Sequence, residues 1–529
     1  MYHSLPAPVR SGMLRRLRPP AAPSPEEAAA RVDPTASPLS VRTGNLDRVV
    51  DALEAGGVPY FRLPPVEWQR TAVGVPESFR GRVARILTDL ESAEALIEPV
   101  TVERRVAGMT APAVDQVATA VCWPVTDPAR KLILGWEHAC EVEFWQELPD
   151  RLVGPRPNLS VDVLMNDEPE VEAEEGAFGD FHAVGAGRTY RTRRPFLLPA
   201  IDHIDFPIDV VYTWVDGADP AWLARKNAAL AENGWVSVNE EAANASRFIS
   251  RNELRYSLRS LHYYAPWVRR IFLVTDDQVP SWLNVEHPQV TVVSHKEIFG
   301  SAGRLPTFNS MAIETRLHHI EDLSEQFLYM NDDVFFGQAL QPNFFFTAAG
   351  QTRVFLSTNR VNSGPPTSDE PPIMSSGKNN RALIEKEFGR FLAVKAKHTP
   401  HAARRSVLAE IEERYPEPIA VTASHQFRHR DDISLISSLQ QHWSYLTGRG
   451  VLTDVHYMYR DLSDPVTPKR LATTLRKRHY PLFCLNDTNS TDEAALDQAR
   501  LLESFLPAYY PFRSPYELPD STEPERAAH

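Results

Sequence analysis

The stretch Phe327-Leu-Tyr-Met-Asn-Asp-Asp333 decides the fold class of this chain. Its apolar and aromatic residues form a run of strand length, and Asn331-Asp332-Asp333 ends that run. The runs Ile208–Tyr212 and Ile271–Val274 have similar lengths and also lead into polar turn residues. Short buried strands of this kind, separated by helical patterns, predict a mostly parallel α/β sheet with helices on both faces.

Two amphipathic helices are predicted between these strands. Asn252–Tyr264 carries leucines at positions i, i+4 and i+7, which is the spacing of one helix face. Ser310–Leu323 has the same character, and Asn309 or Ser310 is placed to cap its start. Gln289–Val293 is predicted as a further strand, so strands and helices alternate through this part of the chain.

The chain is predicted to divide into several units because 529 residues exceed one ordinary hydrophobic core. An N-terminal α+β accessory unit is expected before the sheet, with a linker or exposed loop at the acidic run Asp167–Glu175. A Pro- and Ser-rich segment followed by helical patterns predicts a helical insertion over the site. The expected division is a mobile tail at 1–45, the accessory unit and linker at 46–200, the catalytic domain at 205–512 with its insertion at about 357–446, and a disordered tail at 513–529.

Composition excludes several classes of protein. The formal charge of −13 gives no uniform basic footprint for nucleic acid. No apolar run of about 18 residues is present, so no transmembrane segment is expected. The three cysteines lack CxxC spacing, which predicts neither a disulfide framework nor a thiolate zinc site. A cytoplasmic protein, compatible with peripheral association at the inner face of the membrane, is the simplest expectation.

Acidic residues at the ends of the predicted strands are the first candidates for chemistry. Ligands of open α/β sheets collect beyond the carboxyl ends of the strands, where Asp332 and Asp333 lie. Two carboxylates there suit Mg²⁺ or Mn²⁺ bridging diphosphate oxygens, although an ordinary Asp-capped turn explains the motif equally well. Taken alone, Asp209 on the first predicted strand is interpreted as an ordinary turn residue. Glu314 on the second predicted helix, taken alone, is interpreted as part of a solvent-exposed helix face.

Two basic clusters precede predicted helices. Lys397-His-Thr-Pro-His401 offers His398 as a general base or a phosphate contact, and its two histidines lack an evident third partner for a metal. Phe427–Asp432 contains Arg428, whose guanidinium matches phosphate geometry; a surface ion-pair cluster is an equal alternative. Leu485-Asn-Asp487 repeats the apolar-Asn-Asp pattern. No Walker A, GxGxxG or GxSxG motif occurs, so a nucleoside-triphosphate cradle, a dinucleotide site and a serine hydrolase have no support.

Several of these segments together resemble the Stealth family in sequence and in order. The resemblance spans residues 208 to about 490, and the family includes bacterial capsular and exopolysaccharide phosphotransferases and the catalytic subunit of the lysosomal-enzyme N-acetylglucosamine-1-phosphotransferase. The segments that carry it are Asp209–Gly217, Asn252–Ser260, Ala265–Val268, Ile271–Asp276, Pro280–Asn284, Leu305–Ser310, Phe327–Asp333, His398–His401, Phe427–Asp432 and Leu485–Asp487.

The resemblance implies transfer of a hexose 1-phosphate from a UDP-sugar to a hydroxyl of an oligo- or polysaccharide, with release of UMP and help from Mg²⁺ or Mn²⁺. The expected fold is a Rossmann-like or GT-A-like sheet. The residues expected to function are Asp209, Glu314, Asp332, His398 and Arg428 in catalysis and Asp333 and Asp487 as metal ligands. His398 is expected to handle the acceptor proton and Arg428 to neutralise the phosphate, whereas Glu314 suits a metal ligand, a base or an acceptor anchor.

Two alternatives of other kinds remain open from the sequence. A metal-dependent glycosyltransferase of similar fold breaks the C1–O bond of the sugar and releases UDP. A polysaccharide-binding protein without turnover would use Trp214, Trp267 and Trp282 as a stacking platform. The complete set of acidic, His and Arg positions favours an enzyme, because binding alone does not need it.

Overall fold

The computed structural model describes residues 23–65, 69–104, 113–179, 187–234, 248, 250–367, 369–487 and 492–519. Its N-terminal part contains α1 (Pro25–Ala29), α2 (Pro38–Ala55) and α3 (Arg80–Ser92), with strands β1 (Arg31–Val32), β2 (Phe61–Leu63), β3 (Thr71–Pro76), β4 (Leu96–Arg104), β5 (Ala113–Cys122), β6 (Val125–Thr126), β7 (Ile133–Leu134), β8 (Cys140–Glu147), β9 (Arg151–Val153), β10 (Val163–Met165), β11 (Glu170–Glu174) and β12 (Thr189–Arg193).

The N-terminal part is built on a mixed sheet in the order β10-β9-β8-β3-β2, with β5 also paired to β8 and β4 to β5. Helix α2 packs its apolar face into the cluster under this sheet. The helix begins at Pro38, capped by Ser37, so residues 38–45 are not part of a mobile tail as the sequence suggested. Residues 1–22 of that predicted tail lie outside the described residues.

The acidic run predicted as a linker or exposed loop is ordered structure. Strand β11 pairs antiparallel with β12, and Glu175 directly after it is buried. The Glu175 carboxylate accepts hydrogen bonds from Arg42 and Arg62, each at 2.7 Å. Sequence patterns could not reveal this, because the two arginines lie more than a hundred residues earlier in the chain.

The second part of the chain holds the predicted sheet and its helices. Its helices are α4 (Pro220–Asn233), α5 (Glu253–Tyr264), α6 (His295–Phe299), α7 (Ser310–Glu314), α8 (Pro372–Phe388), α9 (Arg405–Arg414), α10 (Pro416–Ser424), α11 (Gln440–Leu446), α12 (Thr467–Lys477) and α13 (Asp492–Tyr509). Its strands are β13 (Ile208–Thr213), β14 (Ile271–Thr275), β15 (Val290–Ser294), β16 (Gln326–Asn331), β17 (Val334–Phe336), β18 (Thr352–Val354), β19 (Leu356–Arg360), β20 (Val394–Ala396), β21 (His401–Arg404), β22 (Gly450–Leu452), β23 (Tyr457–Asp461) and β24 (Leu482–Asn486).

The central sheet has the order β15-β14-β13-β16-β21, and its first four strands are parallel. Alternate residues of each strand enter different buried clusters: Val210 and Tyr212 pack on the α5 side, and Val211 packs on the side of α6, α7 and α9. This alternation is the period of two expected of a strand buried on both faces. The prediction of a mostly parallel α/β sheet with helices on both faces is confirmed.

Two predictions for this part of the chain differ from the structure. The helix expected over Ser310–Leu323 ends at Glu314 and is followed by a 3-10 turn at Leu317–His319. The segment expected as a helical insertion at 357–446 contributes β21, which pairs antiparallel with β16 and so belongs to the central sheet. The helices α9 and α11 of the same segment pack on that sheet rather than forming a separate layer.

The predicted disordered tail begins later than the sequence suggested. Tyr516 and Glu517 are buried, and Glu517 forms an ion pair with Arg259 of α5 at 2.7 Å. Residues 520–529 of that predicted tail lie outside the described residues. Within the described part of the chain, no helix combines the length and apolar character needed to cross a bilayer.

Candidate active site at the carboxyl edge of the central sheet

The site forms where β16 ends. Asp332 and Asp333 join β16 to the short strand β17, and β17 pairs antiparallel with β24. The Leu485 N–H donates to the Asp333 carbonyl oxygen at 3.0 Å. This pairing brings Asp487, two residues after Leu485, to the same corner as the two strand-end aspartates.

The Asp333 carboxylate contacts two other polar side chains. His398 Nε2 lies 3.4 Å from Asp333 Oδ1, and Cys484 Sγ donates to Oδ2 at 3.3 Å. These three groups offer ligand atoms that lie within 4.8 Å of one another. Burial, and then the Asp333 charge, raise the pKa of the Cys484 thiol well above its ordinary value, so the sulfur is a neutral donor here.

Glu253, the first residue of α5, adds a fourth carboxylate to the corner. Burial raises the pKa of Asp332 well above its ordinary value, and the charges of Glu253 and Asp333 raise it further. Burial and the Asp333 charge likewise raise the pKa of Glu253. Carboxylates that raise one another's pKa mark a region of excess negative charge, which a bound cation would relieve.

The donor set fits a divalent cation of the kind the sequence predicted. Asp333 supplies carboxylate oxygens, which suit Mg²⁺ and Mn²⁺, and Asp332 adds charge at the same corner, whereas the neutral thiol of Cys484 is a poor ligand for either ion. Asp487 has a partner already: Arg251 Nη2 donates to Asp487 Oδ2 at 2.7 Å and to Gln498 Oε1 at 2.9 Å. Because Arg251 is nearly buried, it holds Asp487 by charge at the edge of the acidic corner.

His398 lies three residues before the edge strand β21 and is therefore positioned by the central sheet, not by a helical insertion over the site. Burial by itself would lower its pKa, but the charge and hydrogen bond of Asp333, with a contribution from Glu314, hold the pKa above its ordinary value. His401, three residues later, differs: burial lowers its pKa to about 3, so it stays neutral.

Glu314 and Arg428 form a second group of residues in the site, beside the acidic corner and His398. Glu314 Oε2 accepts hydrogen bonds from the backbone N–H groups of Ile436 and Ser437 at 3.0 and 3.1 Å, and Oε1 accepts from Ser437 Oγ at 2.6 Å. Burial raises the pKa of Glu314, against these hydrogen bonds and the Arg428 charge, which lower it. The carboxylate is thus the N-terminal anchor of the π-helical turn Leu435–Leu439.

Arg428 is linked to the same helix as Glu314. Its Nη2 donates to Ser310 Oγ at 2.8 Å, and Ser310 begins α7, which ends at Glu314. The preceding residue, Phe427, stacks on Phe308 with ring centroids 5.2 Å apart. Arg428 also acts electrostatically on His398, so the guanidinium lies near the acidic corner.

The structure places Asp209 apart from the other predicted site residues. Asp209 aligns with Phe327 in the β13–β16 register, five residues before Asp332, which is roughly 16 Å along the strands. Its carboxylate pairs with Arg269 at 2.6 Å and accepts the Ser324 N–H at 2.7 Å. Asp209 therefore joins loops at the amino edge of the sheet, because a residue at the start of a parallel strand faces the opposite edge.

Sequence reasoning missed Arg251, Glu253 and Cys484. Arg251 and Glu253 flank Asn252, which adopts a left-handed conformation at φ 64° and turns the chain into α5 beside the site. Glu253 stands inside a segment that the resemblance already used, so its acidic side chain was a usable signal. Cys484 offered none, since only the β17–β24 pairing brings it to Asp333.

The chain matches models of four conserved regions of Stealth proteins. The regions are Stealth protein CR1 at residues 206–234, CR2 at 247–354, CR3 at 397–445 and CR4 at 472–528. Asp332 and Asp333 lie in the second region, His398 and Arg428 in the third, and Asp487 in the fourth. The corner described above is thus assembled from three of the four regions.

Whole-chain comparisons agree with the regional matches. An exopolysaccharide phosphotransferase of Streptomyces coelicolor is 43% identical over 505 residues, covering 92% of this chain and 84% of the relative. The exopolysaccharide phosphotransferase CpsY of Mycobacterium tuberculosis is 36% identical over 332 residues, covering 63% of this chain and 62% of the relative. The solved galactosyltransferase LgtC aligns with 56% of this chain and 96% of its own at 12% identity and a TM-score of 0.25, a score that carries no inference.

Proposed function

This chain belongs to the Stealth family and is a transferase, and from that premise we propose that it moves hexose 1-phosphate from a UDP-sugar to a hydroxyl of an oligo- or polysaccharide. The product is a phosphodiester in a cell-surface polysaccharide, and UMP leaves. The observation that carries the proposal is that the acidic corner, formed by Asp332 and Asp333, lies next to the basic side chains of Arg428 and His398. Phosphoryl transfer needs both, since it relies on positioning and on neutralising charge.

The acidic corner is the proposed metal site. Asp333 and Asp332, with Asp487 at their edge, would hold Mg²⁺ or Mn²⁺, which supplies charge neutralisation for the diphosphate oxygens when bound. Arg251 keeps Asp487 oriented through the 2.7 Å ion pair. Glu253 deepens the negative potential of the corner because its own charge raises the pKa of Asp332.

Arg428 is the proposed contact to the transferring phosphate. A guanidinium presents planar, paired N–H donors that match two phosphate oxygens. The stacking of Phe427 on Phe308 fixes the backbone next to Arg428, and the hydrogen bond to Ser310 orients its guanidinium group. The arginine therefore needs little reorganisation when the donor binds, which is the condition for effective electrostatic stabilisation.

His398 is the proposed base. The acceptor hydroxyl oxygen attacks the β-phosphorus, its proton passes to His398 Nδ1, the ring nitrogen that does not face Asp333, and the bond from that phosphorus to the bridging oxygen breaks as UMP departs. A histidine whose pKa is held above the ordinary value by Asp333 is a stronger base than a free imidazole. Position supports the same role, because His398 lies 3.4 Å from Asp333 and close enough to Arg428 for the guanidinium charge to act on the imidazole.

Glu314 is the proposed positioning residue of the site. Both of its oxygens are used by the 435–439 turn, and it acts on His398 and Arg428 through charge. Glu314 thus keeps the 435–439 turn and Arg428 in a fixed position relative to the acidic corner. Asp209 is assigned a structural role, since its partners are Arg269 and Ser324 at the other edge of the sheet.

The decisive experiment identifies the leaving nucleotide. The full chain is incubated with Mn²⁺, a panel of UDP-sugars and an oligosaccharide acceptor, and the nucleotide is separated chromatographically. We expect UMP, together with a product whose ³¹P spectrum shows a phosphodiester. Release of UDP with no phosphorus in the product would instead identify a glycosyltransferase. Asp333→Asn is the matched inactive control, so that hydrolysis by a contaminant is recognised.

A further inference from the structure

One strongly charged surface is not used by the proposed chemistry. Helix α12 exposes four basic side chains, Lys469, Arg470, Arg476 and Lys477, here called the basic stripe. At 100° per residue the four lie within an arc of about 120°, and the residues of α12 that are buried, Thr467, Leu471 and Thr474, lie on the opposite side. The whole chain carries a formal charge of −13, so a face of four cations is local and distinct.

The basic stripe has no counter-charge among the residues that the structure describes. Within the described residues none of its four cations forms an ion pair. The acidic groups before the helix serve other partners: Asp461 Oδ1 accepts the Ser463 N–H, and Asp464 Oδ1 accepts the Val466 N–H, both at 2.9 Å. On the neighbouring helix α13, Asp497 pairs with Arg500 at 3.1 Å.

Lys469 and Arg470 lie at an unfavourable position for the helix itself, whereas Arg476 and Lys477 lie in its last turn, where cations are favoured. Lys469 and Arg470 stand in or beside the first turn of α12, which contains no acidic residue. Cations at that end oppose the helix dipole, whereas anions there are favoured. A bound anionic ligand makes the electrostatic interactions at the start of α12 favourable, because both the helix dipole and the basic side chains attract negative charge there.

The topology connects the stripe to the active site. Strands β23 and β24 are parallel and joined by α12, so the start of the helix lies at the edge where both strands end. Thr467 Oγ1 donates to the Asp461 carbonyl at 2.7 Å, and Leu462 N–H donates to the Asn486 carbonyl at 2.8 Å. The start of α12 therefore lies at the edge where β24 ends, one residue before Asp487, and the stripe runs for about 12 Å along the helix.

We propose that the basic stripe is a docking track for the polyanionic phosphodiester polysaccharide that extends from the active site. The inference rests on the proposed function, because the phosphodiester of each repeat gives that polymer its negative charge. The partner is recognised by charge complementarity, and the path follows from the continuity between α12 and the strand that carries Asp487. A membrane fits less well, since Leu471 and Thr474 are buried and leave α12 without an apolar face for insertion.

The test measures binding of the full chain to a phosphodiester polymer without turnover. Fluorescently labelled poly(glycerol phosphate) is titrated with protein at several salt concentrations, with neutral dextran and phosphatidylglycerol vesicles as parallel probes. The stripe variant carries Lys469→Gln, Arg470→Gln, Arg476→Gln and Lys477→Gln. The control variant removes the same charge elsewhere, with the exposed substitutions Arg85→Gln, Arg360→Gln, Lys386→Gln and Arg390→Gln.

We expect the polymer to bind the unaltered chain and the control variant with a steep dependence on salt, and dextran not to bind. The stripe variant should bind about tenfold more weakly or worse, with a shallower salt dependence. Equal binding by the stripe variant overturns the proposal, as does the absence of polymer binding. Stripe-dependent binding to vesicles alone also overturns it, in favour of a membrane surface. Because no nucleotide is turned over, the result is independent of whether UMP or UDP is released.

Discussion

His398 Nε2 lies 3.4 Å from Asp333 Oδ1, so the proposed base and the principal strand-end carboxylate form one electrostatic pair. Asp333 comes from the end of the parallel strand β16, and His398 from the approach to the antiparallel edge strand β21. The pairing of those two strands sets the distance, and the distance sets the basicity of the imidazole.

The first prediction is that Asp333→Asn lowers the pKa of His398 in chelator-treated protein. Burial then acts on the imidazole without the opposing charge, and burial disfavours the protonated ring. NMR titration of the histidine rings measures the effect. Asp454→Asn is the control, because the exposed Asp454 pairs with the adjacent Lys397 and should leave His398 unchanged. An unaltered His398 pKa in Asp333→Asn contradicts the pairing.

The same pair affects stability with a defined sign. The folded-state pKa of His398 is raised, so protonation favours the folded chain. That contribution is complete below the unfolded pKa of about 6.5 and is lost as pH rises through the folded value. In Asp333→Asn this pH-dependent contribution should disappear from thermal unfolding curves recorded in chelator.

The second prediction concerns the divalent cation. EDTA should abolish transfer, and Mg²⁺ or Mn²⁺ should restore it, because the carboxylates at the corner need a counter-charge before they accept a diphosphate. Asp333→Asn should lose turnover. Its melting temperature, measured at a pH where His398 is neutral, should stay unchanged or rise, since the substitution removes like-charge repulsion. Asp322→Asn, at an exposed site, is the control. Full activity in chelator rules out a metal role for Asp332, Asp333 and Asp487.

The third prediction separates charge from shape at Arg428. Arg428→Lys should be nearly as damaging as Arg428→Ala, because lysine keeps the charge but loses the planar fork that matches phosphate. We expect about 2–4 kcal/mol of lost transition-state stabilisation for either variant, measured from kcat/KM. Arg430→Lys, two residues away and exposed, should behave as the unaltered enzyme. Near-normal activity of Arg428→Lys would reduce the role of Arg428 to a point charge.

The fourth prediction distinguishes positioning from chemistry at Glu314. Glu314→Gln should lower the free energy of unfolding by about 1–3 kcal/mol, because an amide cannot accept all the hydrogen bonds of the 435–439 turn. Ser437→Ala should cause a smaller loss in the same direction and keep the pH profile of kcat. Glu314→Gln should move the acidic limb of that profile to lower pH, because the Glu314 charge contributes to the raised pKa of His398. A Glu314→Gln variant with unchanged stability and a pH profile that has lost one limb altogether would make Glu314 a proton-transfer group.

The fifth prediction concerns the C-terminal anchor. The charges of Arg259 and Arg255 and the Ser514 N–H overcome the effect of burial and lower the pKa of Glu517 to about 2. Its stabilising contribution is therefore present above the unfolded pKa of about 4.3 and is lost as pH falls toward the folded value. Glu517→Gln should cost about 3–5 kcal/mol near neutral pH, because it leaves Arg259 buried with one partner fewer. Exposed Glu286→Gln is the control, and equal unfolding curves for the two variants contradict the anchor.

The sequence by itself determined the sheet and the residue types at its carboxyl edge. Apolar runs of strand length at Ile208–Tyr212, Ile271–Val274 and Phe327–Met330 became parallel neighbours, because their spacing and the helices between them leave few other topologies. The acidic ends of those runs also located Asp332 and Asp333. Local pattern suffices here because strand burial and strand termination are properties of adjacent residues.

Only the tertiary structure decided which of the candidate side chains meet. It separated Asp209 from Asp332 because the two stand at opposite ends of paired strands, and it brought Cys484 to Asp333 through a strand pair 151 residues apart in sequence. It also turned Glu517, in a presumed tail, into a buried partner of Arg259. Register and packing between distant segments carry no local signature, because their energy arises only when both partners are folded.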